Sequence, residues 1–445
     1  MKLGTANAVD AAIQLLTPIV LVRVLDGAGF GEYRLLWLAA GTLLAIVPMG
    51  MSASLGYFLP RHPLRAQAVF VRQTLLFMAV AGILAGLLLG PWNPLLPESI
   101  KALASAHYAA PLFWGLWILG STLDLLPAAE RRFGLQAGLI LALALVRGAA
   151  VIAAAVLGGI DAVIAVLALL AAVKVFLLLG LSTARYGRRL WLSRMPKIVE
   201  QARFALPMGA GDAVYLLRVQ ADQWLVVILF GAAQYGVYSL GALALSVAGI
   251  LRHSVNEVIF PEMSKAQGDG DLRTVLSLNN RSNIACALFI VPASLFLLAA
   301  AGPLVRLLYT DAYADAIPVL QLNVIAYLIA TVEVSTLMLV LRQGPYLLYT
   351  SIAFLVLSLL VSYAGAQVWG MTGAVLGAIV GNLVAIVVLY ARVSRLVAIP
   401  VSKLQDWGTL ARIGASGAVA AAAAYATVFL APPALGNIVV LVLAG

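Results

Sequence analysis

Hydrophobic positions along this chain come in unbroken runs, with the polar residues gathered between them and little two-residue alternation inside them. Stretches such as "TLLFMAVAGILAGLLLG" (residues 74–90) and "GLILALALV" (residues 138–146) show the pattern. A continuous run of about 20 apolar residues predicts a helix that crosses about 30 Å of hydrocarbon, where only helices and closed barrels satisfy their own backbone. The runs predict helices over 5–25, 34–58, 69–90, 108–128, 135–157 and 162–182, and then over 204–230, 236–259, 282–302, 316–341, 346–368, 372–394 and 409–430, thirteen spans in all. The tail "GNIVVLVLAG" (Gly436–Gly445) would rise only about 15 Å as a helix. Two readings of it stay open: it does not cross, or the sequence stops inside a fourteenth span. The first run lacks a convincing cleavage site and continues into a helical hairpin, so it reads as a span and not as a removed signal peptide.

Composition agrees with the pattern. Hydrophobic residues make up 63% and charged residues 10%, with a mean hydropathy of +1.03. No water-soluble domain carries that on its surface without aggregating, so the fold class is an all-α polytopic membrane protein. The net charge of +10 is unevenly spread. With a cytoplasmic N-terminus, twenty of the 28 Lys and Arg residues fall in inside segments and only Arg34, Lys101 and Arg306 fall outside. That is the positive-inside bias, so the charge is a topology signal and calls for no nucleic-acid partner. The lone Cys286 cannot form an internal disulfide, and His62, His107 and His253 share no metal-ligand spacing with a carboxylate or thiol. No phosphate-binding P-loop occurs, so the sequence predicts no metal, no cofactor and no ATPase of its own.

The chain also repeats itself. "FGEY" (Phe30–Tyr33) sits in the gap between the first two predicted helices, and "YGVY" (Tyr235–Tyr238) in the gap between the seventh and eighth, 205 residues later. Pro60 of "FLPR" matches Pro261 of "IFPE", Pro111 of "AAPL" matches Pro318 of "AIPV", and Gly159 of "GGIDAV" matches Gly370 of "GMTGAV", at offsets of 201, 207 and 211. Four short matches in the same order predict a duplicated six-helix unit. With an even number of spans both copies enter the membrane in the same direction, and such paired lobes commonly hold a substrate between them and expose it by rocking. The expected organisation is an N-terminal lobe over 1–182, a basic cytoplasmic linker over 183–203, a C-terminal lobe over 204–398, and an extra helix with an incomplete last one over 399–445.

The order of elements, with "LVRVLDGAGFGEY" (Leu21–Tyr33), "ALPMGAGDAVYLLRVQADQWLVVILFGAAQYGVY" (Ala205–Tyr238), "FPEMSKAQGDGD" (Phe260–Asp271) and "PLVRLLYTDAYADAIPVLQL" (Pro303–Leu322), resembles the multidrug/oligosaccharidyl-lipid/polysaccharide (MOP) exporter superfamily. The likeness is to its polysaccharide branch, the Wzx-like O-antigen flippases. The resemblance implies two six-helix bundles around a central cavity, plus one or two extra C-terminal helices. It implies a transporter, not an enzyme, in the bacterial inner membrane. The substrate would be a polyprenyl-diphosphate-linked oligosaccharide for surface polysaccharide such as the O-antigen of lipopolysaccharide, moved by alternating access. It further names a coupling ion (H+ or Na+), membrane lipids, and a polysaccharide polymerase and chain-length proteins as partners to look for. A cation-coupled multidrug exporter of the same superfamily is the alternative. A membrane glycosyltransferase is a third reading, disfavoured because the longest outer loop, residues 91–106, holds one acid, Glu98.

Charges inside the predicted spans are the candidate chemistry, since each costs on the order of 3 kcal/mol at mid-bilayer. The cations are Arg23, Arg147, Lys174, Arg218 and Arg252; the acids are Asp10, Asp124, Asp212, Asp222, Glu257 and Glu333. Arg147, Lys174, Arg218 and Arg252 are the candidate substrate-binding cations, suited to a diphosphate if they converge. Asp222, Glu333 and Asp212 are the candidate ion-coupling acids. Gly211, Tyr215, Arg218 and Asp222 share one helical face, where Arg218 and Asp222 are spaced to pair. That pair reads either as a switching element or as a fixed pair that makes burial bearable. Lys174 and Arg252 read equally as snorkelling topology residues, and snorkelling is the better reading for Arg23. Trp92, Trp114, Trp117, Trp369 and Trp407 read as interfacial belt anchors.

Overall fold

A computed structural model describes residues 2–187, 190–191, 197–243 and 246–430 of the chain. The tail read as an incomplete span and part of the basic linker, including Arg188, Arg189 and Arg194, lie outside the described residues. All regular structure among the described residues is helical. In chain order the helices are α1 (Lys2–Val24), α2 (Gly27–Ile46), α3 (Met51–Phe58), α4 (Leu64–Leu88), α5 (Glu98–Ala106), α6 (Ala109–Gly120), α7 (Leu126–Ala129), α8 (Phe133–Tyr186) and α9 (Ile198–Leu243). They continue with α10 (Ser246–Gly268), α11 (Leu272–Tyr309), α12 (Ala316–Ala330), α13 (Ser335–Val340), α14 (Gly344–Gly373), α15 (Leu376–Val397), α16 (Val401–Leu404) and α17 (Trp407–Leu430). Among the described residues, nine helices are long and apolar enough to cross a membrane, or ten if α2 and the α3 segment, bent by 49°, form one span.

Glycines divide three of the four longest helices. α8 breaks at Gly159 (φ 62, ψ −151), α9 at Gly231 (φ 82, ψ −179) and α14 at Gly370 (φ 63, ψ −148). A positive φ with ψ near ±150–180° is open to glycine and closed to residues with a Cβ. Gly159 and Gly370, matched in the sequence as equivalent points of two copies, adopt the same backbone conformation to within a few degrees.

The gaps read around the repeated motif are in fact helical. Asp26 caps α2 by accepting from the Gly29 amide at 2.9 Å, so the helix begins at Gly27 and "FGEY" lies in its first two turns. "YGVY" likewise lies within α9, just past the Gly231 break. The sequence 91–106, read as a loop, contains α5. The span read over 316–341 is interrupted between α12 and α13, leaving Glu333 in the break.

The chain forms two compact units, one of residues 1–220 with 227–236, the other of residues 221–226 with 237–445. In the first unit, Leu55, Phe58, Phe70, Leu123 and Leu178 pack in a core where α3, α4 and the second half of α8 meet. Within this unit the glycines of the two motif copies abut: a Cβ on Gly236 would stand 3.0 Å from the Gly31 Cα, and one on Gly31 would run into the Ala232 carbonyl. In the second unit, Met263, Val275, Met338, Phe354, Tyr390 and Val393 form the core.

Candidate functional site

The first unit holds two of the predicted cations against one group of rings. α2 supplies Trp37, and α6 supplies Phe113 and Trp117, which share a helical face at the i, i+4 spacing. The Trp37 ring meets Phe113 and Trp117 edge-on, with centroids 5.6 and 5.2 Å apart. The Arg147 guanidinium, from the first half of α8, stands 5.8 Å from the Trp37 centroid, and the Lys174 ammonium, from the second half, stands 4.3 Å from the Trp117 centroid. Such cation–π contacts are worth about 0.5–2 kcal/mol, more as water is excluded.

Each cation also has its own carboxylate. Arg147 Nη2 donates to Asp10 Oδ1 of α1 at 2.7 Å, and Gln14 donates to the other oxygen of that carboxylate at 2.8 Å. Lys174 Nζ donates to Asp124 Oδ2 at 2.6 Å, Asp124 lying in the 3-10 turn that follows α6. The pairs are asymmetric in exposure. Arg147 and Lys174 side chains are 19% and 8% exposed, while Asp10 and Asp124 are 28% and 49% exposed. The carboxylates are thus the more accessible members of both pairs. An incoming anion could take the place of a carboxylate on either cation, leaving the carboxylate to bind a proton or a metal cation.

The second unit holds a different arrangement around the break between α12 and α13. Asn283 of α11 bonds both backbone groups of Glu333, accepting from its amide at 3.1 Å and donating to its carbonyl at 3.2 Å. Arg252 donates to Asn283 Oδ1 at 3.1 Å and to the Thr331 carbonyl. Glu333 Oε1 accepts from the Thr336 amide at 2.9 Å and so caps α13. Asn283 also donates to Gln405 at 3.0 Å, and Tyr390 donates to the same amide oxygen at 3.4 Å. Arg252 and Glu333 thus meet through one amide, around backbone groups that no helix satisfies.

The remaining predicted residues have other company than anticipated. Asp222 accepts a hydrogen bond from the buried Tyr238 hydroxyl. Arg218 lies half-buried beside Tyr215, 5.9 Å from its ring centroid, and Asp212 is exposed on α9. Trp114 is fully buried, its indole donating to the Leu36 carbonyl at 3.0 Å, and Trp117 is part of the ring group, so neither is a belt anchor. Sequence reasoning passed over Trp37, Asn283 and Gln405. Neutral amides inside apolar runs were the available signal for Asn283, since polar groups in hydrocarbon seek partners across helices.

The profile of a family described as polysaccharide biosynthesis protein matches residues 20–318 of the chain. No curated protein sequence matches it. Among solved structures, the lipid II flippase MurJ in an inward closed conformation is similar with a TM-score of 0.75 at 12% identity, over 99% of this chain and 96% of that one. An inward-facing multidrug resistance MATE transporter of the MOP superfamily is similar with a TM-score of 0.64 at 13% identity, over 87% of this chain and 95% of that one. A MOP superfamily transporter from Pyrococcus furiosus, described as having a binding pocket of reverse polarity, is similar with a TM-score of 0.54 at 15% identity, over 89% of this chain and 94% of that one.

Proposed function

Because the chain belongs to the polysaccharide biosynthesis protein family and has the helical fold of MOP superfamily transporters, we propose that it is a flippase for a polyprenyl-diphosphate-linked oligosaccharide. It would carry that lipid across the bacterial inner membrane, N-terminus in the cytoplasm, for the assembly of surface polysaccharide. The functional lobes in this reading are the repeat units 1–182 and 204–398.

The observation that carries the reading is the pair of membrane-embedded cations beside one ring group, each held by a more exposed carboxylate. A diphosphate is the ligand that chemistry suits. Arg147 can bind two of its oxygens at once and Lys174 supplies a point charge. The polyprenyl tail stays in lipid while the charged, sugar-bearing head exchanges with Asp10 and Asp124. The released carboxylates then take up H+ or Na+, which links the swap to an ion gradient. A multidrug exporter of organic cations would use the same scaffold, but cations shielded by displaceable carboxylates favour an anionic head.

Binding tests this directly. Purified protein in detergent is titrated with undecaprenyl diphosphate, undecaprenyl monophosphate and undecaprenol, with tryptophan fluorescence as the readout because Trp37 and Trp117 lie at the cations. The expected order of affinity is diphosphate, then monophosphate, with no response to the alcohol, and a loss of about tenfold or more for Arg147→Ala, the scale of a charged hydrogen bond. Equal binding of all three lipids overturns the proposal.

A further inference from the structure

Away from the cation pairs, His107 closes the C-terminal end of α5 and stands between two carboxylates, all three residues belonging to the first unit. Its Nε2 lies 2.9 Å from Glu32 Oε2 of α2, and its Nδ1 lies 2.6 Å from Asp161 Oδ1, two residues past the α8 break. Nδ1 makes no hydrogen bond there, so the second contact is an electrostatic one. The imidazole is 8% exposed, Glu32 29% and Asp161 81%. A neutral imidazole has one N–H and one lone pair, and here the lone pair would face an anionic oxygen. Only the imidazolium presents a proton to each side. The other titratable groups on the elements that meet here are Asp26, Tyr33 and Arg34 at α2, Glu98 and Lys101 on α5, Tyr108 beside it, and Arg147, Lys174, Arg185 and Tyr186 on α8; none is an ion-pair partner of His107.

The scaffold does not require this arrangement. At the corresponding points of the second copy, by the motif matches and the shared Gly159 and Gly370 conformation, stand Val237, Ala314 and Thr372, none of which titrates. Of the segments matched in the sequence, the first set carries an acid–imidazole–acid cluster and the second does not.

We propose that Glu32, His107 and Asp161 form a proton-binding site on the outer side of the membrane, the side that the positive-inside charge bias gives to these segments. The protonated imidazole ties the first turns of α2, the α5–α6 corner and the second half of α8 together. Loss of the proton releases the exposed Asp161 arm and loosens α5, so the outer end of this unit responds to the pH of the medium it faces.

The test uses the full chain in detergent. Hydrogen exchange of the α5 amides is measured on either side of the imidazole range, at about pH 5.5 and about pH 8, and corrected for the intrinsic effect of pH. Protection is expected to fall about threefold at the higher pH, the scale of an exposed ion pair. Asp161→Asn, which alters only an exposed side chain, is expected to remove most of that change, and His107→Gln all of it. Equal protection of the parent at both pH values, or an undiminished response in Asp161→Asn, overturns the proposal; if His107→Gln does not fold, the Asp161→Asn result decides.

Discussion

Arg147 and Lys174 show how a charge is made tolerable inside a membrane-spanning unit. Each has one carboxylate within 2.7 Å and an aromatic face on another side. Removing one member of such a pair strands the other, which costs about 3–5 kcal/mol when the pair is fully buried; here Asp10 and Asp124 are partly exposed. Arg147→Ala is therefore expected to lower the thermal midpoint of the purified protein, and Asp10→Asn added to it to restore part of the loss. The exchange of carboxylate for diphosphate makes an opposite prediction for binding. Asp10→Asn or Asp124→Asn removes a competitor and is expected to tighten undecaprenyl diphosphate by several-fold; weakened binding in both would contradict the exchange. The cations and their acids were legible as residues that hydrocarbon does not tolerate alone. Their pairing was not, because 137 and 50 residues separate the partners and no local periodicity spans such distances.

At the scale of the element, glycine punctuation is what the sequence states most plainly. Gly159 and Gly370 were readable as equivalent positions, and their common conformation gives the reason. Gly159→Ala and Gly370→Ala are each expected to destabilise by about 1–3 kcal/mol, measured as similar drops in thermal midpoint, since each forces a side chain into backbone space reserved for glycine. Gly31→Leu is expected to abolish accumulation of folded protein, because that residue sits against the Ala232 backbone. Helix starts were less legible. An isolated run of apolar residues does not reveal that Asp26 or Asp271 will cap it, or how early. Asp271 accepts from the Thr274 hydroxyl at 2.6 Å and amide at 3.0 Å, bonds that hold its carboxyl below the ordinary carboxylate range. A group lowered in this way stabilises the fold above the ordinary range and loses its effect as pH falls through the lowered value. Asp271→Ala is thus expected to lower the thermal midpoint at neutral pH, with the difference from the parent vanishing in acid. The α12–α13 break escaped the sequence altogether, because it is held by Asn283, some 50 residues away.

For the whole molecule, length of apolar run, charge asymmetry and internal repetition were enough to give the fold class, since all three are sums over many residues and survive errors in any one. The extent of each helix depended on capping and on tertiary partners, and came only with the structure. The proposed cytoplasmic N-terminus follows from the twenty basic residues that the span reading assigns to one side, and under it a fluorescent protein fused to the N-terminus is expected to mature and fluoresce, as it does only in the cytoplasm. The measurement that bears most directly on what the protein does is transport itself. Purified protein is placed in liposomes with a polyprenyl-diphosphate-linked oligosaccharide, and the rate at which the sugar becomes accessible on the opposite face is followed for the parent, Arg147→Ala, Lys174→Ala and the double variant. The parent is expected to move the lipid faster than empty liposomes, each single variant about tenfold or more slowly, and the double variant at the empty-liposome rate. Movement of the diphosphate lipid at the parental rate in the double variant would contradict the role assigned to these cations, and no movement above empty liposomes in the parent would contradict the flippase reading as a whole.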